Sequence, residues 1–311
     1  MSAYQNVTQR ARGGRVQPVV LSNHYRLIRE IGRGAYGSVH LAADITVTPE
    51  EMCVVKMFQR REEVLKSAQV EYTTLSALKN HRGVVTLLGD LDLDDVYCLV
   101  LSRERMNLLT LAGKTEKGKL GTKAITKIVY DVCTTLEYIH SQNYIHRDIK
   151  PENLMLGSDL NATIQIKLID FGVAKYFRKR FDITKRDNMY TNCFYSSGRM
   201  SAGMAATPRD DIVMMLFSVM KVQMEVMPLD RSNIERSRAD RLLFETKWHR
   251  DHYHLPPNLY HLAASIFAGG PSFYPNYNAI KETIKKAYPR FDPSTDILRF
   301  DSQQNGTIII S

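Results

Sequence analysis

The sequence predicts an α+β fold in which a small β-rich unit precedes a larger, mainly helical unit. The first hundred residues contain short apolar or alternating runs typical of strands, with one run of helical texture. After Leu101 the apolar residues recur at helical spacing instead. No stretch of eighteen uncharged apolar residues occurs, so we expect no membrane-spanning helix and no membrane partner.

The composition is that of a globular protein. Its 311 residues are 44% hydrophobic and 24% charged, with 42 Lys and Arg against 33 Asp and Glu, a net charge of +9. This excess can favour nucleic acid, an acidic membrane or acidic substrates, and alone it decides nothing. Nucleic acid is not expected as the main partner, because aromatic residues are not interleaved with the basic ones, although accessory contact with DNA stays open.

The four cysteines are scattered, with neither CxxC spacing nor the pattern of a disulfide framework. Reduced, packed thiols are the simplest interpretation, which favours a reducing compartment. We therefore expect a cytoplasmic or nuclear protein, or both.

In the first unit, residues 1–22 are polar and basic and indicate a flexible leader without the apolar core of a secretory signal. A helix is predicted over 62–78, where apolar residues recur on one side. Strands are predicted over 25–31, 38–42, 53–58, 84–88 and 96–101.

In the second unit, a buried helical stripe runs from Ile125 to Ile139. Residues 211–225 are apolar nearly all round, but too short to cross a bilayer, and predict a central core helix. Weaker helices are predicted over 258–267 and 277–287. The units are expected at about 23–101 and about 107–290, with a hinge near 101–107 and a C-terminal tail over 291–311.

A glycine-rich string joins the first two predicted strands through Gly32, Gly34 and Gly37. Glycines let backbone N–H groups approach a phosphate closely, although tight hairpins use them as well. Dinucleotide-binding folds lead from such a string into a helix, whereas here residues 38–42 continue as a strand. That excludes the dinucleotide interpretation.

Lys56 lies inside an apolar strand, where an ammonium group is costly unless it is paired. ATP phosphates would be one partner, and Glu71 on the following helix another. Considered alone, Lys56 would more often be an edge-strand lysine facing solvent. The neighbouring glycine string favours the functional interpretation.

The strongest signal is residues 146–153, His-Arg-Asp-Ile-Lys-Pro-Glu-Asn. The spacing allows a loop to aim Asp148 at a substrate hydroxyl while Asn153 holds a metal ion and Lys150 neutralises phosphoryl oxygens. A turn rich in polar residues is the alternative, and Pro151 would suit it.

Asp170, Phe171 and Gly172 follow the apolar run 166–169. A carboxylate at a strand end beside glycine is a good ligand for Mg²⁺ that bridges phosphates. As an isolated tripeptide it would carry little weight, but it follows Asn153 by seventeen residues.

In this order the motifs resemble the protein kinase signature over roughly residues 25–290. Lys150, two places after Asp148, is similar to the serine/threonine pattern. Residues 25–34, 168–175 and 273–281 resemble the casein kinase 1 family, to which vaccinia-related kinases are near relatives. Tyr195-Ser-Ser-Gly-Arg199 stands where that family carries Tyr-Ala-Ser-Ile-Asn.

The resemblance implies a bilobal protein kinase fold over 23–290 that binds ATP and Mg²⁺ between its lobes and phosphorylates protein substrates. Asp148, Lys150, Lys56 and Glu71 would be the catalytic residues, and Asn153 and Asp170 would hold the metal. The implied ATP-binding residues are Ile31, Gly32, Gly34, Gly37, Val39, Val54, Lys56, Leu101 and Met155.

The sequence departs from the family pattern at several places. Val54 replaces the usual alanine of the adenine pocket, the hinge is more charged, and Thr191-Asn192 replaces Gly-Thr. The last change bears on peptide specificity more than on chemistry.

A basic cluster lies in the segment after the metal-binding motif and includes the predicted substrate-binding residues Arg178, Lys179, Arg180 and Lys185. It would suit acidic or phosphorylated substrates, although a solvated loop or a nuclear import signal is as good an interpretation. Family members do not generally need loop phosphorylation, so constitutive activity is expected. The alternative function is a pseudokinase scaffold, disfavoured because Lys56, Asp148 and Asp170 are all present.

Overall fold

The computed structural model describes residues 19–34, 36–79, 81–177, 194–224, 234–249, 253–268 and 273–311. The strands are β1 (Val20–Leu21), β2 (Tyr25–Gly34), β3 (Gly37–Asp44), β4 (Glu51–Gln59), β5 (Leu87–Asp92), β6 (Val96–Ser102), β7 (Met106–Asn107), β8 (Tyr144–Ile145), β9 (Leu154–Leu156), β10 (Ile166–Leu168), β11 (Lys175–Tyr176), β12 (Phe300–Ser302) and β13 (Ile308–Ile310). The helices are α1 (Glu62–Leu78), α2 (Leu108–Gly113), α3 (Thr122–Ser141), α4 (Gly198–Ser201), α5 (Pro208–Gln223), α6 (Ile234–Lys247), α7 (Pro257–Phe267) and α8 (Tyr277–Ala287), and Pro151–Asn153 forms a 3₁₀ turn.

The chain divides into two compact units, Met1–Lys79 with Val85–Glu104, and Asn80–Val84 with Arg105–Ser311. The first is built on an antiparallel sheet of six strands in the order β1-β2-β3-β4-β6-β5, against which α1 packs. The predicted α+β class is confirmed.

One face of this sheet gathers several predicted site residues. Val39 lies opposite Lys56, and Val54 lies opposite Leu101 in the antiparallel register. Val54 and Lys56 are two residues apart on one strand, so all four side chains share a face. The opposite face forms a core of Leu21, Ala42, Cys53, Val55, Met57, Val96, Cys98 and Val100.

The second unit is helical around α5, nearly all of whose residues are buried, as predicted from its apolar sequence. α3 and α7 pack against α5, and α8 packs against both α3 and α7. The short strands of this unit pair antiparallel as β7–β9, β9–β10 and β8–β11. The loop of residues 146–153 runs from β8 to β9. Within the described part of the chain, no helix has the length and apolar character needed to span a membrane.

The segments assigned to the leader and to the tail both contribute to the fold. Val20 and Leu21 pair with β2, and Leu21 is buried. In the tail, β12 pairs with β13, and the backbone N–H of Ile308 donates to the carbonyl of Lys114 at 2.8 Å. The domain limits given above stay predictions. The short strands β1, β12 and β13 lie in the segments that were assigned to the leader and the tail.

One predicted strand and one predicted helix begin three residues away from their expected starts, and several elements were not predicted. The strand expected over 84–88 begins at Leu87 and runs to Asp92, because Val84 instead forms an isolated bridge with Leu168. α5 begins at Pro208, three residues before the expected start, because Thr207 and Asp210 form a capping box. The sequence did not predict α2, α6, β12 or β13.

Candidate functional site

In the first unit, Lys56 and Glu71 form an ion pair. Nζ of Lys56 donates to Oε2 of Glu71 at 2.6 Å, and the side chain of Glu71 is fully buried. Glu71 belongs to the buried stripe of α1, which otherwise carries apolar and small residues such as Val64, Ala68 and Leu75. The helix therefore presents a carboxylate at a core position, directly at the lysine on β4.

The glycine string forms the hairpin of β2 and β3, with Gly34 paired to Gly37. At Gly37 the φ angle is +155°, and a Cβ atom there would lie 1.8 Å from the carbonyl oxygen of Met57. This position therefore requires glycine. The exposed Ile31 lies on β2 as predicted, and the strand runs past its predicted end to include Gly32. Ala35 falls outside the described residues.

In the second unit, residues 146–153 form a loop between β8 and β9 whose polar side chains converge on Asp148. Lys150 donates from Nζ to Oδ2 of Asp148 at 2.6 Å. Asn153 donates from Nδ2 to the same oxygen and to the backbone carbonyl of Asp148, each at 2.9 Å. Asp148 is thus held by two side chains of its own loop.

Asp211 anchors the backbone of this loop through hydrogen bonds to its carboxylate. Its carboxylate accepts the backbone N–H groups of His146 and Arg147, each at 2.8 Å, and the ring Nε2–H of His140 at 2.9 Å. Burial alone would raise the pKa of Asp211, but the hydrogen bonds from His140 and the backbone hold that pKa below its ordinary value. Arg147 has a φ angle of +69°, a conformation that costs a residue with a side chain about 1–3 kcal/mol. The buried carboxylate stabilises that conformation.

The motif that begins at Asp170 lies beside the same loop. The N–H of Ile169 donates to the carbonyl of Asn153 at 3.1 Å, and Nε2 of His146 donates to the carbonyl of Ile169 at 3.1 Å. Burial lowers the pKa of His146, so its ring is neutral, and Nδ1 accepts the N–H of Asp148. The ring of Phe171 lies 4.5 Å from that of His146. Backbone contacts thus bring the two predicted metal ligands, Asn153 and Asp170, onto adjacent segments.

The donor chemistry at these two residues fits a hard cation. Asp170 supplies a carboxylate. The amide nitrogen of Asn153 donates to the carbonyl and to Oδ2 of Asp148, which leaves its amide oxygen as the ligating atom. Among the described residues, no group of three or more His, Cys, Asp or Glu is arranged to hold a metal ion. Asn153 and Asp170 would be the residues that hold a Mg²⁺ ion here, since Mg²⁺ in proteins typically uses one or two carboxylates or amides and keeps its other positions for phosphate and water.

The predicted site residues thus fall into two groups. In the first unit, Lys56 meets Glu71, and Val39, Val54 and Leu101 share its sheet face. In the second unit, the ligands and the loop residues lie together, and Met155 is on the adjacent β9. Arg178, Lys179, Arg180 and Lys185 lie outside the described residues.

Sequence reasoning did not assign a role to Asp211 or to His140. The signal at Asp211 was a pair of carboxylates at the start of a helix that is otherwise apolar all round. The signal at His140 was weaker, since a histidine near the end of a helix is common.

Comparisons with known proteins find similarity to protein kinases. A family model described as "Protein kinase domain" matches residues 25–268. Mitogen-activated protein kinase spm1 of Schizosaccharomyces pombe is 31% identical over 165 residues, which is 51% of this chain and 38% of that protein. Serine/threonine-protein kinase C of Synechocystis sp. is 32% identical over 168 residues, 50% of this chain and 30% of that protein. The alignments thus span less than two fifths of either relative.

Among solved structures, the chain is similar to one described as "Structure of vaccinia related kinase 3". The TM-score is 0.71 at 15% sequence identity, and the match covers 87% of this chain and 89% of the other. At that identity the likeness concerns the fold alone.

Proposed function

The chain belongs to the protein kinase family, and we propose that it transfers the γ-phosphoryl group of ATP to serine and threonine hydroxyls of protein substrates. The observation that carries this proposal is the loop around Asp148. There a carboxylate is held by Lys150 and Asn153, and the backbone before it is anchored by the buried Asp211. This arrangement is suited to aligning an alcohol for in-line attack on a phosphoryl group.

In the proposed reaction, the substrate hydroxyl oxygen bonds to the γ-phosphorus while the bond from that phosphorus to the bridging oxygen of ADP breaks. The hydroxyl proton passes to Asp148. Lys150 and Asn153 both donate to Oδ2, so Oδ1 is the atom that we assign as the proton acceptor. Positioning and charge neutralisation supply most of the catalysis in this class.

The other predicted residues take the roles of binding and orienting the nucleotide. We assign Lys56 to the phosphate oxygens and Glu71 to holding the ammonium group in place. Glycine-string amides would meet the phosphates, and Val39, Val54 and Leu101 would meet the adenine ring. Asn153 and Asp170 are the residues that would hold Mg²⁺, which supplies neutralisation of the phosphate charge when bound.

We also propose that the chain is a casein kinase 1-like enzyme, active without loop phosphorylation, that favours acidic or phosphorylated substrates. Support for the subgroup comes from the sequences of residues 25–34, 168–175, 195–199 and 273–281, and support for the substrate preference comes from the basic residues of the 178–186 segment. The two curated relatives bear names of other kinase groups, so they do not add to this finer assignment. A cytoplasmic or nuclear location is proposed because Cys53, Cys98 and Cys133 are buried free thiols.

The comparisons do not favour the alternative of a pseudokinase scaffold, since the relatives bear the names of protein kinases. Lys56, Asp148 and Asp170, whose loss typically marks pseudokinases, are retained.

Transfer of radiolabelled phosphate from Mg²⁺-ATP to arrayed peptides tests the proposal. The array pairs each serine or threonine peptide with its tyrosine counterpart, and each acidic or phosphorylated peptide with a neutral one. We expect label on serine and threonine, more of it beside acidic residues, and a loss of nearly all transfer in Lys56→Met and Asp170→Asn. Lys66→Met, at an exposed lysine of α1, is the matched control and keeps the wild-type rate.

Folding of every variant is checked by thermal unfolding. A folded wild-type chain that labels no peptide would refute the activity, and a wild-type rate in Lys56→Met would refute the assigned site. Equal kcat/KM on acidic and neutral peptides would remove only the substrate preference.

A further inference from the structure

Three helices of the second unit contribute side chains to one continuous line of hydrogen bonds. The hydroxyl of Tyr277, the first residue of α8, contacts Nδ1 of His140 near the end of α3. Nε2 of His140 lies 2.9 Å from Oδ2 of Asp211 on α5. Asp211 in turn accepts the backbone N–H groups of His146 and Arg147. The line therefore joins α8 to the residue that directly precedes Asp148.

The protons along this line can be assigned from donor and acceptor chemistry. The carboxylate of Asp211 only accepts, so Nε2 of His140 carries a proton and donates it to Oδ2. Burial raises the pKa of Tyr277, so the phenol stays protonated. The hydroxyl of Tyr277 and Nδ1 of His140 form the second hydrogen bond of the ring. Both nitrogens of the ring are thereby satisfied in a buried position.

The arrangement fixes the orientation of the Asp211 carboxylate. Asp211 must keep both oxygens in place to accept two successive N–H groups, one on each oxygen. His140 holds Oδ2, and its own ring can turn about its side-chain bonds unless Nδ1 is also held. Tyr277 supplies that second point of attachment. Side chains that orient a functional group are effective only when their own rotamers are locked in this way.

We propose that Tyr277 is a positioning residue for phosphoryl transfer, acting through His140 and Asp211 on the strained backbone at Arg147 and so on Asp148. This rests on the proposed kinase function. The residue lies 129 positions after Asp148, within residues 273–281, whose resemblance to the casein kinase 1 family assigned it no role. Its hydroxyl keeps the loop in the conformation in which Asp148 aligns the substrate.

The alternative role for Tyr277 is packing alone, since its ring also lies 6.0 Å from that of His140. Tyr277→Phe separates the two roles because it keeps the ring and removes the hydroxyl. Tyr288→Phe is the matched control, at the tyrosine that ends the same helix and contacts Phe291.

Two quantities are measured on the full chain: hydrogen exchange at the N–H groups of His146 and Arg147, and the steady-state constants for peptide phosphorylation. Losing one buried hydrogen bond should speed exchange and lower kcat by roughly tenfold, with KM for ATP within about twofold. Tyr288→Phe should change neither. Unchanged exchange and unchanged kcat in Tyr277→Phe would overturn the proposal, whatever happens to the melting temperature.

A double variant tests the route. If Tyr277 acts through His140, then adding Tyr277→Phe to His140→Leu should change exchange and kcat no further. Independent, additive effects would contradict the proposed connection. Exchange is measured without substrate, so an inactive wild-type chain would remove the proposed function while the exchange result still decides about Tyr277.

Discussion

Nζ of Lys56 lies 2.6 Å from Oε2 of Glu71, and the carboxylate side chain is fully buried while the lysine is 15% exposed. A carboxylate in that position is stable only with a cation beside it, because removing one partner of a buried pair typically costs about 3–5 kcal/mol. The ion pair joins β4 to α1 inside a single unit. It therefore fixes the lysine independently of any nucleotide.

Glu71→Gln should weaken transfer without unfolding the chain. The amide can still accept a hydrogen bond from Lys56, but the charge-assisted part, about 1.5–3 kcal/mol for a bond to a charged group, is reduced. We expect kcat/KM for ATP to fall by roughly 10- to 100-fold. Glu62→Gln, at the exposed pair with Lys66, is the control and should leave kcat/KM unchanged. Wild-type kinetics in Glu71→Gln would contradict the role given to the pair.

Asp211→Asn should damage the loop more than its small change in size suggests. The carboxylate accepts three N–H groups, whereas an amide offers one oxygen and places an N–H against a backbone donor. We expect a loss of about 3–5 kcal/mol in the free energy of unfolding and of at least roughly 100-fold in kcat. Urea unfolding and peptide assays measure both. Asp301→Asn, at an exposed carboxylate of β12, serves as the comparison, and equal effects at both positions would rule out the anchor.

Lys127→Met should be strongly destabilising although Lys127 is far from any motif. Lys127 and Asp131 are both fully buried, 3.0 Å apart, and Nζ of Lys127 also donates to the carbonyl of Pro293 at 3.0 Å. Burial raises the pKa of Asp131 to about 6 even with Lys127 beside it, so the variant leaves this carboxyl group buried without its cation. Urea unfolding should show a loss of about 3–5 kcal/mol.

Adding Asp131→Asn to that variant should recover part of the loss, because the uncompensated charge is gone. Lys117→Met, at an exposed lysine, is the control and should cost little. If Lys127→Met is as stable as this control, the buried pair contributes nothing.

The free energy of unfolding should fall as the pH rises, because Glu245 loses a proton that the folded state binds tightly. Burial raises the pKa of Glu245 to about 7, although the N–H of Gly198 donates to its Oε1 at 2.6 Å. The unfolded chain titrates this group near the ordinary value of 4.5. The folded state therefore binds the proton more tightly, and this stabilisation is complete at low pH and lost as the pH rises through about 7.

Glu245→Gln removes that titration while keeping an oxygen for Gly198. Its melting temperature should match that of the wild type near about pH 5 and exceed it by about 2–4 °C near about pH 8. Glu282→Gln, at an exposed position of α8, should follow the wild type throughout. A constant difference between Glu245→Gln and the wild type across this range would show that Glu245 does not titrate as described.

The periodic segments were predictable because each carries its own signal. α1 and α8 have the predicted bounds, since an apolar stripe with polar flanks is a local property of the sequence. The meeting of Lys56 with Glu71 followed from a charge within an apolar strand and the spacing of a known motif.

Other features depended on distant partners and had no local signal. α6 has the sequence IERSRADRLLFETK, in which apolar residues form no regular stripe, so its helix could not be read from periodicity. β12 and β13 are three residues each, and within the described residues their strand partners are one another. Asp211 accepts backbone N–H groups from residues that precede it by 64 and 65 positions. A single sequence does not show which backbone N–H groups a buried carboxylate will accept.

The C-terminal tail, residues 291–311, limits how far the chain can be shortened while it stays folded and active. The amide of Gln165 donates from Nε2 to the carbonyl of Leu298 and accepts the N–H of Leu298 at Oε1, each at 2.8 Å. The carbonyl of Pro293 accepts a hydrogen bond from Nζ of Lys127. Truncation at residue 268, where the family match ends, or at 290 would remove one acceptor from the buried ammonium group of Lys127 and both hydrogen bonds between Gln165 and Leu298. A minimal catalytic fragment must therefore extend at least past Leu298.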